Sequence, residues 1–258
     1  VEIVNGQNIG VTYHMATSQK VAFVGLVAYA DRIVPYLREE GYEVDIIDQH
    51  NYEALQENLD EYAVIIFNDR SSRMSDDALR LFVEKADQQE VSIIFTSQYN
   101  GGTIRSLSES HGDPEAVRFS TVPQYVNVKV TADHPLFTGI TATEFTLLDK
   151  GRDTLLQQYA IYENYSGTTV GKMSHFEKGE LGDGIGFKYS SANSVHILLS
   201  SLQVGSYTNP NENWTPEAKL LFTNALDWAI AASTGEVFGT VTDTEGVPIG
   251  NAMVEIEA

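Results

Sequence analysis

Residues 62–69 read Tyr-Ala-Val-Ile-Ile-Phe-Asn-Asp, six apolar residues followed by two polar ones. An apolar run of this length, with no polar residue alternating in it, is typical of a strand that is buried on both faces of a parallel sheet. The sequence also predicts strands in three other segments of the first hundred residues, at 20–27, 42–48 and 91–97.

Helical patterns separate these strands. They occupy 30–40, 51–60, the segment that follows Ser75, and 102–109. Gly41 stands where the C-terminus of a helix often needs a left-handed residue. The alternation of strands and helices predicts an α/β fold. Its sheet is expected to be doubly wound and mostly parallel, with helices on both faces in a flavodoxin-like, three-layer arrangement.

Shorter segments rich in Gly, Ser, Thr and Tyr follow residue 112. Hairpins and loops are predicted across 163–193. Thr215 and Pro216 suit the N-cap and the first position of a last helix, which is predicted to end near Ala232. Further strands are predicted at 125–130, 159–162 and 194–202.

The chain divides into three parts. Residues 1–19 are polar and weakly patterned, and we expect an N-terminal extension or an edge strand there. Residues 20–233 are predicted to form the α/β domain. Residues 234–258 carry two alternating runs around a turn, which indicates the first strands of a separate, truncated β-domain. Because two strands do not make a stable sandwich, we expect the natural protein to continue past Ala258.

Charge and composition narrow the classes of partner. The formal net charge is −20, so the surface repels phosphate backbones and anionic lipid, and neither nucleic-acid binding nor membrane insertion is expected. The absence of cysteine removes disulfides, thiolate nucleophiles and cysteine metal sites. An acidic chain without cysteine is typical of many secreted bacterial proteins, and we predict a secreted or cell-surface location.

Two motifs carry a family resemblance. One is Asp133-His-Pro-Leu-Phe-Thr-Gly-Ile140, and the other is Leu220-Leu-Phe-Thr-Asn-Ala-Leu-Asp-Trp-Ala229. With the four leading strand–helix units, they resemble the class I glutamine amidotransferase-like superfamily, and more closely its trehalose-utilisation-type (ThuA-like) branch. The resemblance implies a flavodoxin-like fold over about residues 20–232.

The same resemblance bears on activity. Active members of the superfamily carry a nucleophilic cysteine on the turn after the fourth strand. Here residues 96–102 read Thr-Ser-Gln-Tyr-Asn-Gly-Gly, which contains neither a cysteine nor a Gly-x-Ser-x-Gly elbow. We therefore expect no catalytic residue and no amidotransferase or esterase activity.

The tail has a resemblance of its own. Residues 235–257 are similar to the start of a carboxypeptidase-regulatory-like β-sandwich, with runs reading VFGTVTD and AMVEIE on either side of a Gly-Val-Pro turn. Such modules resemble spacers in secreted multi-domain bacterial hydrolases, including subtilisin-like proteases. The resemblance implies that the other domains of the same polypeptide are partners of this one.

A binding cleft is predicted where parallel strands end. Ligands of open parallel sheets bind beyond the carboxyl ends of the strands, where the segments 25–30, 68–72 and 97–102 should converge. These polar residues either bind a ligand or cap loops and turns. The candidates are Asn68, Asp69, Arg70, Ser71, Ser97, Gln98, Tyr99 and Asn100.

Other chemistry has weaker support in the sequence. Ser97 could be a nucleophile if His175 or His196 acted as its base, although a histidine in an apolar strand is more often structural. Asp133 and His134 precede a proline and suit a turn, and no metal motif occurs, so no metal or cofactor is expected.

Aromatic residues in the second half suit contacts with a carbohydrate or a peptide, or they pack the loops. They are Tyr159, Tyr162, Tyr165, Phe176, Phe187, Tyr189, Tyr207 and Trp214.

Together these observations predict a non-catalytic amidotransferase-like domain that binds a ligand or arranges other domains within a secreted hydrolase. Two alternatives stay open. The chain is either a hydrolase in its own right, with a polar site at the strand ends, or a purely structural spacer.

Overall fold

The computed structural model describes residues 20–48, 57–68, 76–96, 117–123, 126–148, 156–162, 167–191, 193–199, 202 and 209–234. The predicted extension at 1–19, the predicted helix at 102–109 and the predicted β-module, apart from Thr234, lie outside these residues.

One sheet contains all the strands that the structure describes. Nine of them lie side by side in the order β2-β1-β3-β4-β11-β10-β9-β6-β7, while β5 pairs with β8 and β8 also pairs with β10. The strands are β1 (Lys20–Gly25), β2 (Glu43–Asp48), β3 (Val64–Asn68), β4 (Ser92–Phe95), β5 (Val117–Pro123), β6 (Asn127–Val130), β7 (Glu144–Thr146), β8 (Leu156–Tyr162), β9 (Thr168–His175), β10 (Gly179–Ser191) and β11 (Ser194–Leu199).

The first four strands are parallel, as the sequence predicts. Strand β1 pairs with β2 and β3, β3 pairs with β4, and β4 pairs with β11, all in parallel. Residues of β3 and β4 are buried throughout, which agrees with their continuous apolar sequence.

Helices cover both faces of this parallel half. Helices α1 (Val27–Glu39) and α3 (Pro216–Thr234) share one buried cluster with Phe23 and Ile66, and α2 (Asp76–Gln88) shares another with Val24 and Phe67. Alternate residues of each strand therefore face opposite helical layers. The predicted doubly wound α/β fold is confirmed.

The other half of the sheet is antiparallel, so the sheet as a whole is mixed. Strand β10 pairs with both β9 and β11 in the antiparallel sense, and β6 pairs likewise with β9 and β7. Gly184 lets β10 pass close to its neighbour, because a Cβ atom there would overlap the side chain of Met173. The predicted hairpins at 163–193 are confirmed as this β9–β10 pair.

The antiparallel strands project beyond the parallel ones. Leu198 is in register with Phe95 of β4 and with Gly186 of β10, and β10 begins seven residues earlier, at Gly179. At about 3.3 Å per residue, the β9–β10 hairpin extends roughly 20 Å past the end of β4. We call β6, β7, β9 and residues 179–185 the antiparallel wall.

The two motifs of the family resemblance contact each other. The amide Nδ2 of Asn224 in α3 donates hydrogen bonds to the carbonyl oxygens of Leu136 (3.1 Å) and Thr138 (2.9 Å), which lie in the 133–140 turn. Gly139 has a φ of 76° and lies against Leu220 of the same helix. Both motifs are therefore packing signatures, which together fix one turn on one helix.

The last helix begins as predicted. Thr215 is its N-cap, because its hydroxyl accepts the backbone N–H of Ala218 (3.1 Å) and also donates to the carbonyl of Thr146 (2.7 Å). The helix is therefore fixed to the end of β7. Among the helices that the structure describes, none is long and apolar enough to cross a membrane.

Candidate functional site

The strand order defines a crevice at the carboxyl ends of β1 and β3. The order in which successive strands join the sheet reverses here, since β2 lies on one side of β1 and β3 lies on the other. The helix after β1 lies on one face of the sheet, and the helix before β4 lies on the opposite face. In doubly wound sheets, such a reversal opens a crevice that binds ligands.

Gly25 forms one side of this crevice. It pairs with Asn68 across the two strand ends, and a Cβ atom at residue 25 would lie 3.1 Å from the carbonyl oxygen of Asn68 and 2.9 Å from the ring of Phe23. Only glycine allows this close approach without displacing a neighbour. Helix α1 begins two residues later, and its N-cap, Leu26, gives the first turn no side-chain hydrogen bond.

A buried polar pair forms the other side. Asn68 ends β3 with 1% of its surface exposed, and Thr96 follows β4 with 0% exposed. The Thr96 hydroxyl donates to Oδ1 of Asn68 over 2.9 Å, and the Thr96 backbone N–H donates to the carbonyl of Phe67. Buried polar side chains need such partners, so this bond fixes the asparagine at the point where both strands end.

The structure thus brings together the first residues of two predicted segments, Gly25 and Asn68, and Thr96, which directly precedes the third segment in the sequence. Asn68 is the member of the predicted cleft set that the structure describes. The remaining predicted members, whose ligand role stays a prediction, lie outside the described residues and are Asp69, Arg70, Ser71, Ser97, Gln98, Tyr99 and Asn100.

His196 is not placed to act as a base at this crevice. It is fully buried in β11, and its Nε2 atom lies 2.9 Å from a carboxylate oxygen of Asp87 in α2. Its register partner is Ile93, three residues before Thr96, so it lies about 10 Å back along the strands. The structure therefore favours a structural role for His196 over a role as the base of Ser97.

His175 is also remote. It ends β9 in the antiparallel wall, roughly 20 Å past the end of β4 by the strand spacing, and three strands away from it. Its Nδ1 atom accepts the backbone N–H of Glu177, which shapes the turn into β10. Neither histidine named in the Ser97 hypothesis therefore lies beside Thr96.

A second polar cluster, which the sequence analysis missed, lies on the wall. Glu144 of β7 accepts hydrogen bonds from Ser174 of β9 and Asn127 of β6. These two bonds, the one from Ser174 first, hold the pKa of Glu144 below its ordinary value. The sequence signal for this cluster is the alternation of residues in 127–130 and 172–175, which predicts strands. It does not predict the register that brings β6, β7 and β9 together.

A neighbouring ion pair belongs to the same surface. Lys172 and Glu180 are 2.7 Å apart across β9 and β10. Such exposed pairs contribute little to stability, so the wall surface is best described as a solvated ladder of cross-strand pairs. Within the described ranges, no group of three or more His, Asp or Glu side chains could hold a metal ion.

The candidate aromatic residues divide between core and surface. Trp214 and Phe187 are buried, whereas Phe176 is 65% exposed and Tyr189 is 56% exposed. Phe176 lies at the tip of the β9–β10 hairpin and Tyr189 near the other end of β10, so the two exposed rings do not form one surface. The remaining candidates have no described side chain, and a carbohydrate or peptide ligand stays a prediction.

Solved structures share this architecture. A glutamine amidotransferase from Thermotoga maritima matches with a TM-score of 0.50 and 14% identity, over 84% of this chain and 98% of that one. The fold is glutamine amidotransferase-like. A glutamine amidotransferase from Methylobacillus flagellatus matches at 0.49 and 10% identity, over 84% and 94% of the two chains.

A GMP synthase chain from Thermoplasma acidophilum also matches, with a TM-score of 0.49 and 12% identity, over 85% of this chain and 96% of that one. No protein-family model matches the sequence, and no curated protein gives a significant match. At these identities, the likeness concerns the glutamine amidotransferase-like fold alone.

The match with a TM-score of 0.50 corrects the predicted function. The sequence analysis favours a non-catalytic accessory domain of a secreted hydrolase, on the strength of the missing cysteine and the tail. The solved structure of that match is a glutamine amidotransferase and not a module of a protease, so that prediction is wrong. These matches do not show the trehalose-utilisation-type branch or the β-module.

Proposed function

We propose that the chain binds a carboxamide substrate of the glutamine type at the carboxyl ends of β1, β3 and β4 and hydrolyses it. The observation that carries this proposal is the buried pair of Asn68 and Thr96 beside Gly25, at the point where the strand order reverses. The substrate class comes from the glutamine amidotransferase of similar fold.

The nucleophile in this proposal is a hydroxyl, because the chain has no cysteine. Ser97 directly follows Thr96 in the sequence and is the first candidate. Its oxygen would attack the carboxamide carbon, the C–N bond would break with release of ammonia, and water would then hydrolyse the acyl intermediate.

A serine needs a base to accept its proton, which a thiolate does not. His196 and His175 are remote from Thr96, and His134 packs against Trp228 and against Phe187 of β10, which lies two strands from β4. The remaining histidines of the chain are His14, His50 and His111. His50 is the first to test, since it comes two residues after β2, which ends at the same edge as β1.

The test is ammonia release from L-glutamine by the purified chain. We expect turnover above the buffer rate in the unmodified protein, and a loss of at least about a hundredfold in Ser97→Ala, the scale on which removal of a catalytic group acts. Ser190→Ala is the matched control, because this serine lies at the opposite edge of the sheet and bonds to Ser194.

Two outcomes contradict the proposal. One is a rate equal to buffer in the unmodified protein at saturating glutamine. The other is turnover that Ser97→Ala leaves unchanged. Equal losses in Ser97→Ala and Ser190→Ala would also count against it, because a general loss of folding would then explain both.

We also infer a closer relation to the trehalose-utilisation-type branch, which the contact between the 133–140 turn and Asn224 supports.

For residues 235–258, a carboxypeptidase-regulatory-like module stays our proposal. A longer chain that continues past Ala258 tests it. The proposal expects a second unfolding transition, absent from residues 20–233 alone, and a single shared transition contradicts it.

A further inference from the structure

His134 has an unusual position in the 133–140 turn. Its imidazole stacks on Phe187 of β10, with ring centroids 4.6 Å apart, and meets Trp228 of α3 edge-on, also at 4.6 Å. Its Nδ1 atom accepts the backbone N–H of Leu136 over 3.3 Å. The ring therefore joins three elements: the turn, the sheet and the last helix.

This geometry requires a neutral imidazole. A ring nitrogen that accepts a hydrogen bond carries no hydrogen, so the single ring proton is on Nε2. A second proton would have to bind at Nδ1, where the Leu136 N–H already points. Protonation therefore removes the acceptor and sets two N–H groups against each other.

The ring contacts that the structure describes for His134 on β10 and α3 are aromatic and carry no negative charge. On β10 Phe187 contacts the ring and Tyr189 packs against Phe187, and on α3 Trp228 contacts the ring. Lys188 alternates with them and faces the other side of the sheet. Asp133, in the same turn, raises the pKa of His134, but burial lowers it more, and the net direction is downward.

We propose that His134 is an acid-sensitive latch, whose protonation releases residues 133–135 from α3 and β10. Asn224 still holds the second half of the turn, through Leu136 and Thr138, so the opening is local. It uncovers the ring of Phe187 and the edge of Trp228, both of which are otherwise buried.

The pH range follows from the sign of the shift. The pKa of His134 is lower in the folded state than its ordinary value of 6.5. The stability that the latch contributes is therefore fully present above about pH 6.5 and is lost as the pH falls from there through the folded-state pKa.

Trp228 reports the opening of the latch, because the edge of its indole becomes exposed to water when the His134 ring leaves it. The chain has two tryptophans, so Trp214→Phe leaves Trp228 as the single emitter. We expect its emission to shift to the red between pH 7 and 4, with a midpoint below 6.5. His134→Gln is the matched control, since a glutamine oxygen can accept the Leu136 N–H but does not titrate there, and the transition should disappear.

An emission that does not change with pH, or that changes equally in both variants, overturns the latch. A measurement on the unmodified protein covers the case in which a variant fails to fold. The His134 ring carbon and the Leu136 amide proton, followed by NMR, should shift together with one midpoint below 6.5. A His134 midpoint at or above 6.5, or a Leu136 amide that does not follow it, contradicts the proposal.

Discussion

At the scale of residues, the candidate site is organised by the hydrogen bond between Thr96 and Asn68. Thr96 and Asn68 are the polar side chains that follow the most apolar strands of the sheet, and each is almost completely buried. Burying an amide and a hydroxyl costs free energy unless they bond to each other. The bond from the Thr96 hydroxyl to Oδ1 of Asn68 meets this requirement and fixes the orientation of the asparagine amide.

Thr96→Val tests this bond, because valine has nearly the same shape and lacks the hydroxyl. We expect the free energy of unfolding to fall by about 1–2 kcal/mol, the cost of removing one partner of a buried hydrogen bond. Urea unfolding measures it, with Thr96→Ser as the control that keeps the donor. If Thr96→Val is as stable as the unmodified protein, the bond does not hold the two strand ends together.

Sequence analysis could predict that Asn68 lies at a strand end, but not where the histidines lie in the sheet. Asn68 is recognisable as a candidate site residue because it ends an apolar run. In this fold class, ligands bind at the carboxyl ends of the strands, where that run ends. His196 pairs with Asp87 because β11 lies beside β4 and under α2, and that register depends on contacts between distant segments. The cluster of Asn127, Glu144 and Ser174 also depends on the register of distant segments, so it could not be predicted from the sequence.

At the scale of elements, the side chain of Asn224 supplies two hydrogen bonds that help to fix the 133–140 turn to α3. Asn224→Ala removes both hydrogen bonds to the carbonyl oxygens of Leu136 and Thr138, and we expect a loss of about 1–3 kcal/mol in the free energy of unfolding. The control is Thr223→Ala, whose hydroxyl bonds within its own helix. Equal losses in the two variants would show that Asn224 does no more than support its helix.

The elements that the sequence predicts well are those whose burial is local. Strands β1, β3 and β4 show continuous apolar runs, and Thr215 and Pro216 mark the start of α3. Strand β7 has three residues, too few for an alternation to be recognised, and β5 falls in a segment without a clear pattern. Strand β5 pairs with β8, which is distant in sequence, so this pairing is not predictable from local pattern, whereas the β9–β10 hairpin is.

At the scale of the whole molecule, the two proposed sites are separated in space. The crevice lies at the carboxyl ends of β1 and β3, whereas the proposed His134 latch lies against β10 and α3. The missing cysteine does not change this architecture. In the proposed function, it changes only which residue type serves as the nucleophile.

The most direct test of the central claim is to locate the glutamine site on the molecule. Backbone amide signals are followed by NMR while L-glutamine is added to the isotope-labelled chain. Binding at the crevice predicts shifts at Gly25, Asn68 and Thr96, with Ser194 and Trp228 at the opposite edge unchanged. Shifts confined to the opposite edge, or none at all at tens of millimolar glutamine, would contradict a carboxamide site at the carboxyl ends of β1, β3 and β4.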